Sequence, residues 1–197
     1  MQPRVTFVAA ARSSPLLAER FQDDRPLDLA GWAEVQYAAA GLLPLAAADL
    51  RYCSPTPRSR ATGDALGYHP LVQLALRDCD MGRWRGFTLA EAMAREPQAV
   101  DAWLADPRAT PHGGESLLAF ISRVGGWLET RPADDGGRIV AVAEPSVIRA
   151  ALVYVLKAPP ASYWNIDVRP LSTTTVMGRA GRWNLRFDGG VTQPMRA

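Results

Sequence analysis

Between Arg138 and Leu156 the chain changes its hydrophobic period at a single residue. Ile139-Val140-Ala141-Val142-Ala143 is apolar at every position, Glu144 interrupts it, and Pro145 opens a helical pattern that runs to Leu156. A short run with no polar face reads as a strand buried on both sides, which needs helices above and below it. Proline is tolerated at the start of a helix because its missing amide hydrogen would be unpaired there anyway. Val5-Thr6-Phe7-Val8 reads as a second buried strand, and it ends in Ala9-Ala10-Ala11. In open α/β sheets ligands bind where such strands end. Two places, the Ala9-Ala10-Ala11 stretch and Glu144, are therefore singled out at once.

The remaining elements agree with this frame. Asp28 caps a helix expected to run to about Ala40 and to stop at Gly41. Leu50 to Cys53 is a short strand, and Ser54-Pro55-Thr56-Pro57 opens a helix that carries Arg58, Arg60 and Thr62 and ends near Gly67. Tyr68 to Arg108 is irregular, with short helices at Leu89 to Arg95 and Pro97 to Ala105. A longer helix spans about Glu115 to Thr130, and Asp134-Asp135-Gly136-Gly137 is a turn. Ser172 to Val176 and Trp183 to Phe187 form a hairpin across Gly178 to Gly181. Alternating strands and helices closed by a hairpin predict a three-layer α/β/α sandwich with a mostly parallel central sheet and one antiparallel edge.

Composition limits the functional classes. The 197 residues suit a single domain, 1–197, with a substantial core. A formal charge of +2, with no basic run of five residues, argues against a nucleic-acid partner. No apolar run approaches a membrane span and no secretory leader is read at the start, so a soluble cytoplasmic protein is expected. Cys53 and Cys79 form no close-spaced thiol motif and are expected to be reduced and buried. Lys157 is the only lysine, so the cations are arginines, which can fork onto phosphate or carboxylate. No metal-ligand spacing and no nucleotide-cradling glycine loop appears, so neither metal nor cofactor is expected.

Five blocks in order resemble the histidine phosphatase superfamily, the phosphoglycerate mutase-like fold. They are Val8-Ala9-Ala10-Ala11-Arg12-Ser13; Ser54-Pro55-Thr56-Pro57-Arg58 through Thr62; Asp78 to Gly86 with Gly82-Arg83-Trp84-Arg85-Gly86; Gly113-Gly114-Glu115-Ser116; and Val142-Ala143-Glu144-Pro145-Ser146-Val147-Ile148-Arg149. The resemblance implies that Arg58 is a phosphate-binding arginine and that Asp78 matches a proton-donating position of some members. It also implies that Ala10 stands where members carry the nucleophilic histidine, Ala9 where they carry a clamping arginine, and Glu144 where they carry a second histidine. The chain's only histidines are His69 and His112, and neither ends a predicted strand.

The phosphohistidine mechanism that the resemblance implies needs an imidazole nitrogen to attack phosphorus. Alanine offers no nucleophile, and a carboxylate at position 144 repels a phosphate dianion unless it is protonated. The expectation is a pseudophosphatase that binds a small anionic or aromatic metabolite, or a protein partner, in the inherited pocket. An alternative is a repurposed, possibly biosynthetic enzyme with Glu144 as general acid/base and Asp78 beside it. A weaker alternative is a non-canonical phosphatase using His112. Arg12, Ser13, Arg58, His112 and Trp164 are the candidate ligand contacts, and a homodimer is possible. Each residue has a plainer reading: Arg12 a solvated loop arginine, Arg58 a helix-surface ion pair, Asp78 a capped loop residue, His112 an exposed loop residue, Trp164 a core residue. For Glu144 the plainer reading is an ion pair with Arg58 or Arg12 that fills the vacated pocket.

Overall fold

In a computed structural model the protein is described over residues 2–13, 19–131 and 137–187. The two apolar runs form β1 (Arg4–Ala9) and β4 (Arg138–Ala143), which pair in parallel at the centre of a six-stranded sheet. β2 (Leu50–Cys53) lies beyond β4, and β3 (Leu71–Val72) forms the edge next to it. On the other side β5 (Thr173–Arg179) runs antiparallel to β1 and turns back into β6 (Arg182–Arg186). The order is β3-β2-β4-β1-β5-β6, so the sheet is mostly parallel with an antiparallel hairpin at one edge.

Both faces of the central strands are covered. Val140 and Val142 pack with Val8, Val35, Leu66 and Tyr68 beneath α1 (Leu29–Leu42) and α2 (Pro57–Ala65). Ile139, Ala141 and Ala143 face the opposite cluster with Phe7, Phe120, Val124 and Ile148. That cluster lies beneath α5 (Leu117–Glu129) and α6 (Pro145–Val155), with α3 (Leu89–Arg95) and α4 (Pro97–Ala105) packed against its rim. A Cβ at Gly125 would come within 2.1 Å of the Tyr154 ring, so glycine there lets α5 lie close against α6.

Capping chemistry sets the helix starts. Asp28, Thr56, Thr88 and Ser116 each accept a backbone N–H of the first turn. The helix read from Glu115 therefore begins at Leu117, because Ser116 is its cap and Glu115 is held outside by Arg123. Gly41 does not end α1: the helix continues to Leu42 and tightens into a 3-10 turn, Leu43–Ala47. β3 lies within the stretch read as irregular, since two exposed residues carry no alternating pattern. Of the expected turn at 134–137, residues 134–136 lie outside the described residues. Cys53 and Cys79 are buried and free, and burial pushes both thiols up, that of Cys53 to about 11. No described helix is long and apolar enough to cross a membrane.

Register is what builds a site. Ala9 pairs with Ala143 and Cys53 pairs with Val142, so β1, β4 and β2 release the chain at one level. Ala10, Glu144 and Ser54 thus leave the sheet side by side at its carboxyl edge.

Candidate active site

A cavity of about 510 Å³ opens above that edge, within the size range of small-molecule sites. Its floor carries Ala10 and Ala11 from the end of β1. The Ala10 N–H donates to the Ala143 carbonyl at 2.8 Å and the Ala11 N–H to the Thr62 hydroxyl at 3.1 Å, tying the strand end to β4 and α2.

Glu144 is the residue before α6 and does not use its side chain to cap that helix. Its carboxylate turns instead to α2. Oε1 accepts from the Thr56 hydroxyl at 2.6 Å and the Ser59 hydroxyl at 3.3 Å, and Oε2 accepts from Arg58 Nη2 at 2.8 Å. Thr56 and Ser59 flank Arg58 in the first turn of α2, so one helix start supplies all three donors. Arg58 Nη1 reaches Asp23 Oδ2 at 3.3 Å, and Asp23 is also held by Arg25 Nε at 2.7 Å. The result is a chain of charges, Arg25, Asp23, Arg58 and Glu144, with Asp23 and Glu144 buried.

The carboxyl groups respond differently to this setting. Burial pushes Glu144 above its ordinary range, against the opposing charge of Arg58 and the hydrogen bond from Thr56. Burial also raises Asp23, but hydrogen bonds from Arg25 and the charges of Arg58 and Arg25 more than reverse this and hold it low. Asp78 borders the same cavity. Its Oδ1 accepts from the Ser146 hydroxyl at 2.6 Å and from the Cys79 N–H at 2.8 Å, and burial pushes this carboxyl up as well. The loop bearing Asp78 is stapled by Arg123 of α5, which donates to the carbonyls of Ala75, Arg77 and Asp78 at 2.7, 3.1 and 3.3 Å. Asp78 therefore reaches the first turn of α6, where a carboxylate is favoured by the helix dipole. A free anion would have to displace it.

Arg12, Ser13, Arg58, Asp78, Glu144 and Trp164 all border this one cavity, as does Ala10. Ser13 is buried and its hydroxyl donates to the Pro26 carbonyl at 2.8 Å. Ala9 is fully buried in the core and does not face the cavity. His112 is neither a cavity-lining ligand contact nor the exposed loop residue of the plainer reading. It is buried off the cavity wall, its ring 5.1 Å from that of Trp84 and 6.3 Å from that of Trp103, and its Nδ1 accepts from the Gly114 N–H at 3.0 Å. A Cβ at Gly82 would lie 2.2 Å from the His112 carbonyl, so the two loops interlock and hold the imidazole inside the aromatic cluster. Burial lowers its basicity. His69 is exposed, and no histidine among the described residues lines the cavity.

Several residues that shape the site were not singled out from the sequence. Asp23 and Arg25 sit in a charged run, Gln22-Asp23-Asp24-Arg25, with nothing to mark them as partners of Arg58. Arg149 lies in a recognised block but its side chain had no assigned role. Among the described residues no cluster of three His, Cys, Asp or Glu has metal-holding geometry.

The fold and its site at the carboxyl edge define a phosphatase-like α/β class, and direct comparison agrees. The family model for the histidine phosphatase superfamily (branch 1) matches residues 18–188, and the chain belongs to that superfamily. A glucosyl-3-phosphoglycerate phosphatase of Mycolicibacterium vanbaalenii is 33% identical over 132 residues, covering 63% of this chain and 57% of that protein. A bifunctional protein of Mycobacterium tuberculosis is 35% identical over 102 residues, covering 50% of this chain and only 28% of that protein. The native structure of a mycobacterial glucosyl-3-phosphoglycerate phosphatase superposes with a TM-score of 0.73 at 26% identity, covering 93% of this chain and 97% of the other. The alpha-ribazole phosphatase from Shigella flexneri superposes with a TM-score of 0.78 at 19% identity over 93% and 94% of the two chains, which speaks to fold alone.

Proposed function

We propose that this chain is a histidine-phosphatase-fold protein without phosphohistidine catalysis, and that its cavity binds a small organic ligand. The single observation carrying this reading is the Glu144 carboxylate, which accepts from Arg58 at 2.8 Å at the end of β4, beside Ala10 at the end of β1. A phosphohistidine needs an imidazole at that strand edge, and neither Ala10 nor Glu144 supplies one. Arg58 is neutralised by Glu144 and Asp23, so the cation best placed to receive a phosphoryl group is already paired. Three of the proteins named above are phosphatases by name, and one of them shares this chain's fold at 26% identity with a TM-score of 0.73. Purified protein is expected to release no phosphate from 4-nitrophenyl phosphate and to trap no acid-labile phosphohistidine. Metal-independent turnover that Arg58→Ala abolishes overturns the reading.

A second reading is favoured by one specific observation: Asp78 and Glu144 border the same cavity, and burial raises both carboxyls. Carboxyls tuned upward in a cleft suit proton transfer near neutral pH. In that case the ligand is a substrate that loses or gains a proton, and Glu144→Gln ends its conversion while leaving the fold intact. Conversion unchanged by Glu144→Gln removes this role.

A further inference from the structure

Most charged groups around the cavity already have partners. Arg20 pairs with Glu91, Arg25 with Asp23, Arg58 with Asp23 and Glu144, and Arg169 lies within 4.0 Å of Asp167. Arg12 sits on the exposed rim. Arg149 is different. It projects from the second turn of α6 onto the cavity wall, half-buried, and no carboxylate among the described residues lies within ion-pair distance of it. Its guanidinium lies over the Tyr163 ring, 5.9 Å from the centroid, and its buried Nε has no acceptor among the described residues. A half-buried cation without a counter-ion is costly unless something else supplies the charge.

The wall beside Arg149 is aromatic. Tyr163 and Trp164 meet edge to face at 4.9 Å, and Trp164 meets Trp103 at 4.8 Å in the same manner. All three rings border the cavity, and Trp164 keeps 39% of its surface exposed although it sits between two buried neighbours. Such a row of rings suits a flat apolar body packed along it.

We propose that the cavity holds a planar aromatic monocarboxylate, its carboxylate on Arg149 and its ring against Trp103 and Trp164. This rests on the reading of the cavity as a ligand pocket without phosphohistidine catalysis. Arg12, also without an ion pair among the described residues, lies exposed on the rim, whereas Arg149 is half-buried beside the rings and matches one negative charge there. A phosphomonoester brings close to two, and it would bring them near the carboxylates of Asp78 and Glu144. Arginine's planar fork also suits a carboxylate held by two parallel hydrogen bonds. The anion subsite is thus moved from α2, where Arg58 is consumed internally, to α6.

A matched ligand series on the full-length protein tests this, read by tryptophan fluorescence and calorimetry. The probes are 2-naphthoate, 2-naphthalenemethanol, 2-naphthylmethylamine, 2-naphthyl phosphate and octanoate. 2-Naphthoate is expected to bind one to one, about tenfold tighter than the alcohol, and tighter than each of the others. Arg149→Met is expected to bring 2-naphthoate down to the affinity of the alcohol and to leave the alcohol unchanged. Trp164→Ala is expected to weaken both. If Arg149→Met does not fold, Arg149→Lys and the order of ligands on the unaltered protein decide the matter. Equal or tighter binding of the phosphate, the amine or octanoate overturns the proposal, as does binding of 2-naphthoate that is indifferent to Arg149. Failure of all five probes to bind at millimolar concentration overturns it too. Release of 2-naphthol from the phosphate instead overturns the absence of phosphatase chemistry, whichever probe binds best, so the two failures are distinguishable.

Discussion

Glu144 Oε2 lies 2.8 Å from Arg58 Nη2, joining the carboxyl end of β4 to the first turn of α2 across 86 residues of chain. The pair converts what the family resemblance implies is a phosphate-receiving arginine into half of an internal ion pair. It does so without closing the cavity above it: the expected ion pair with Arg58 is present, but it does not fill the pocket.

Breaking this pair is expected to be expensive. Arg58→Met leaves Glu144 and Asp23 buried with one fewer cation, which should cost about 3–5 kcal/mol in urea unfolding. Arg58→Met combined with Glu144→Leu should recover most of that loss, because no uncompensated carboxylate remains at position 144. Equal stability of the single variant and the unaltered protein would show that the pair contributes little.

Acid titration should show opposing contributions. Burial raises Glu144 and Asp78 above their ordinary values of 4.5 and 3.8, so the folded state holds their protons longer than the unfolded state. Their contribution is complete below those values and declines as pH rises toward the folded values. Asp23 is held low, so its contribution persists above 3.8 and disappears in stronger acid. Asp78→Asn should therefore flatten the fall in stability measured by urea unfolding at a series of pH values above 4.5. A slope unchanged by that substitution would mean Asp78 titrates normally.

His112 should behave as a core residue. Burial lowers its basicity from the ordinary 6.5, so its contribution is present above that value and is lost as pH falls through the folded value. His112→Phe keeps the packing against Trp84 and Trp103 but gives up the hydrogen bond from Gly114, at a cost of about 1 kcal/mol near neutrality. It should also remove this part of the acid sensitivity and leave 2-naphthoate binding unchanged. A loss of binding would place the imidazole in ligand recognition after all.

Ala10→His with Glu144→His places two imidazoles at adjacent strand ends and releases Arg58 from its carboxylate partner. The double variant is expected to form acid-labile phosphohistidine and to hydrolyse 4-nitrophenyl phosphate, while neither single variant does. A correctly folded double variant with no phosphoenzyme would mean that more than the imidazoles separates this site from a working phosphatase.

Local chemistry was legible where it is governed by neighbours in the chain. The prolines at 57, 97 and 145 mark helix starts by ring geometry alone, and α3 and α4 begin and end where the sequence places them. Gly41 misled because a glycine stops a helix only when the backbone turns left-handed there, and here it does not. His112 misled for another reason. A histidine beside two glycines looks like a loop residue, and only the interlocking of the loops at Gly82 and Gly114 draws it inward.

The apolar runs Val5 to Val8 and Ile139 to Ala143 were sufficient to indicate a buried, mostly parallel sheet and to mark the Ala9-Ala10-Ala11 stretch and Glu144 as its exits, because burial on both faces is written into an uninterrupted apolar pattern. Which charges meet was decided only in three dimensions. Arg58 chooses among Asp23, Glu144 and Asp78 by distance and desolvation, and those depend on strand register and on how α2 seats against β4. The same packing leaves Arg149, an unremarkable arginine on a helix, without an ion pair among the described residues and beside a row of aromatic rings.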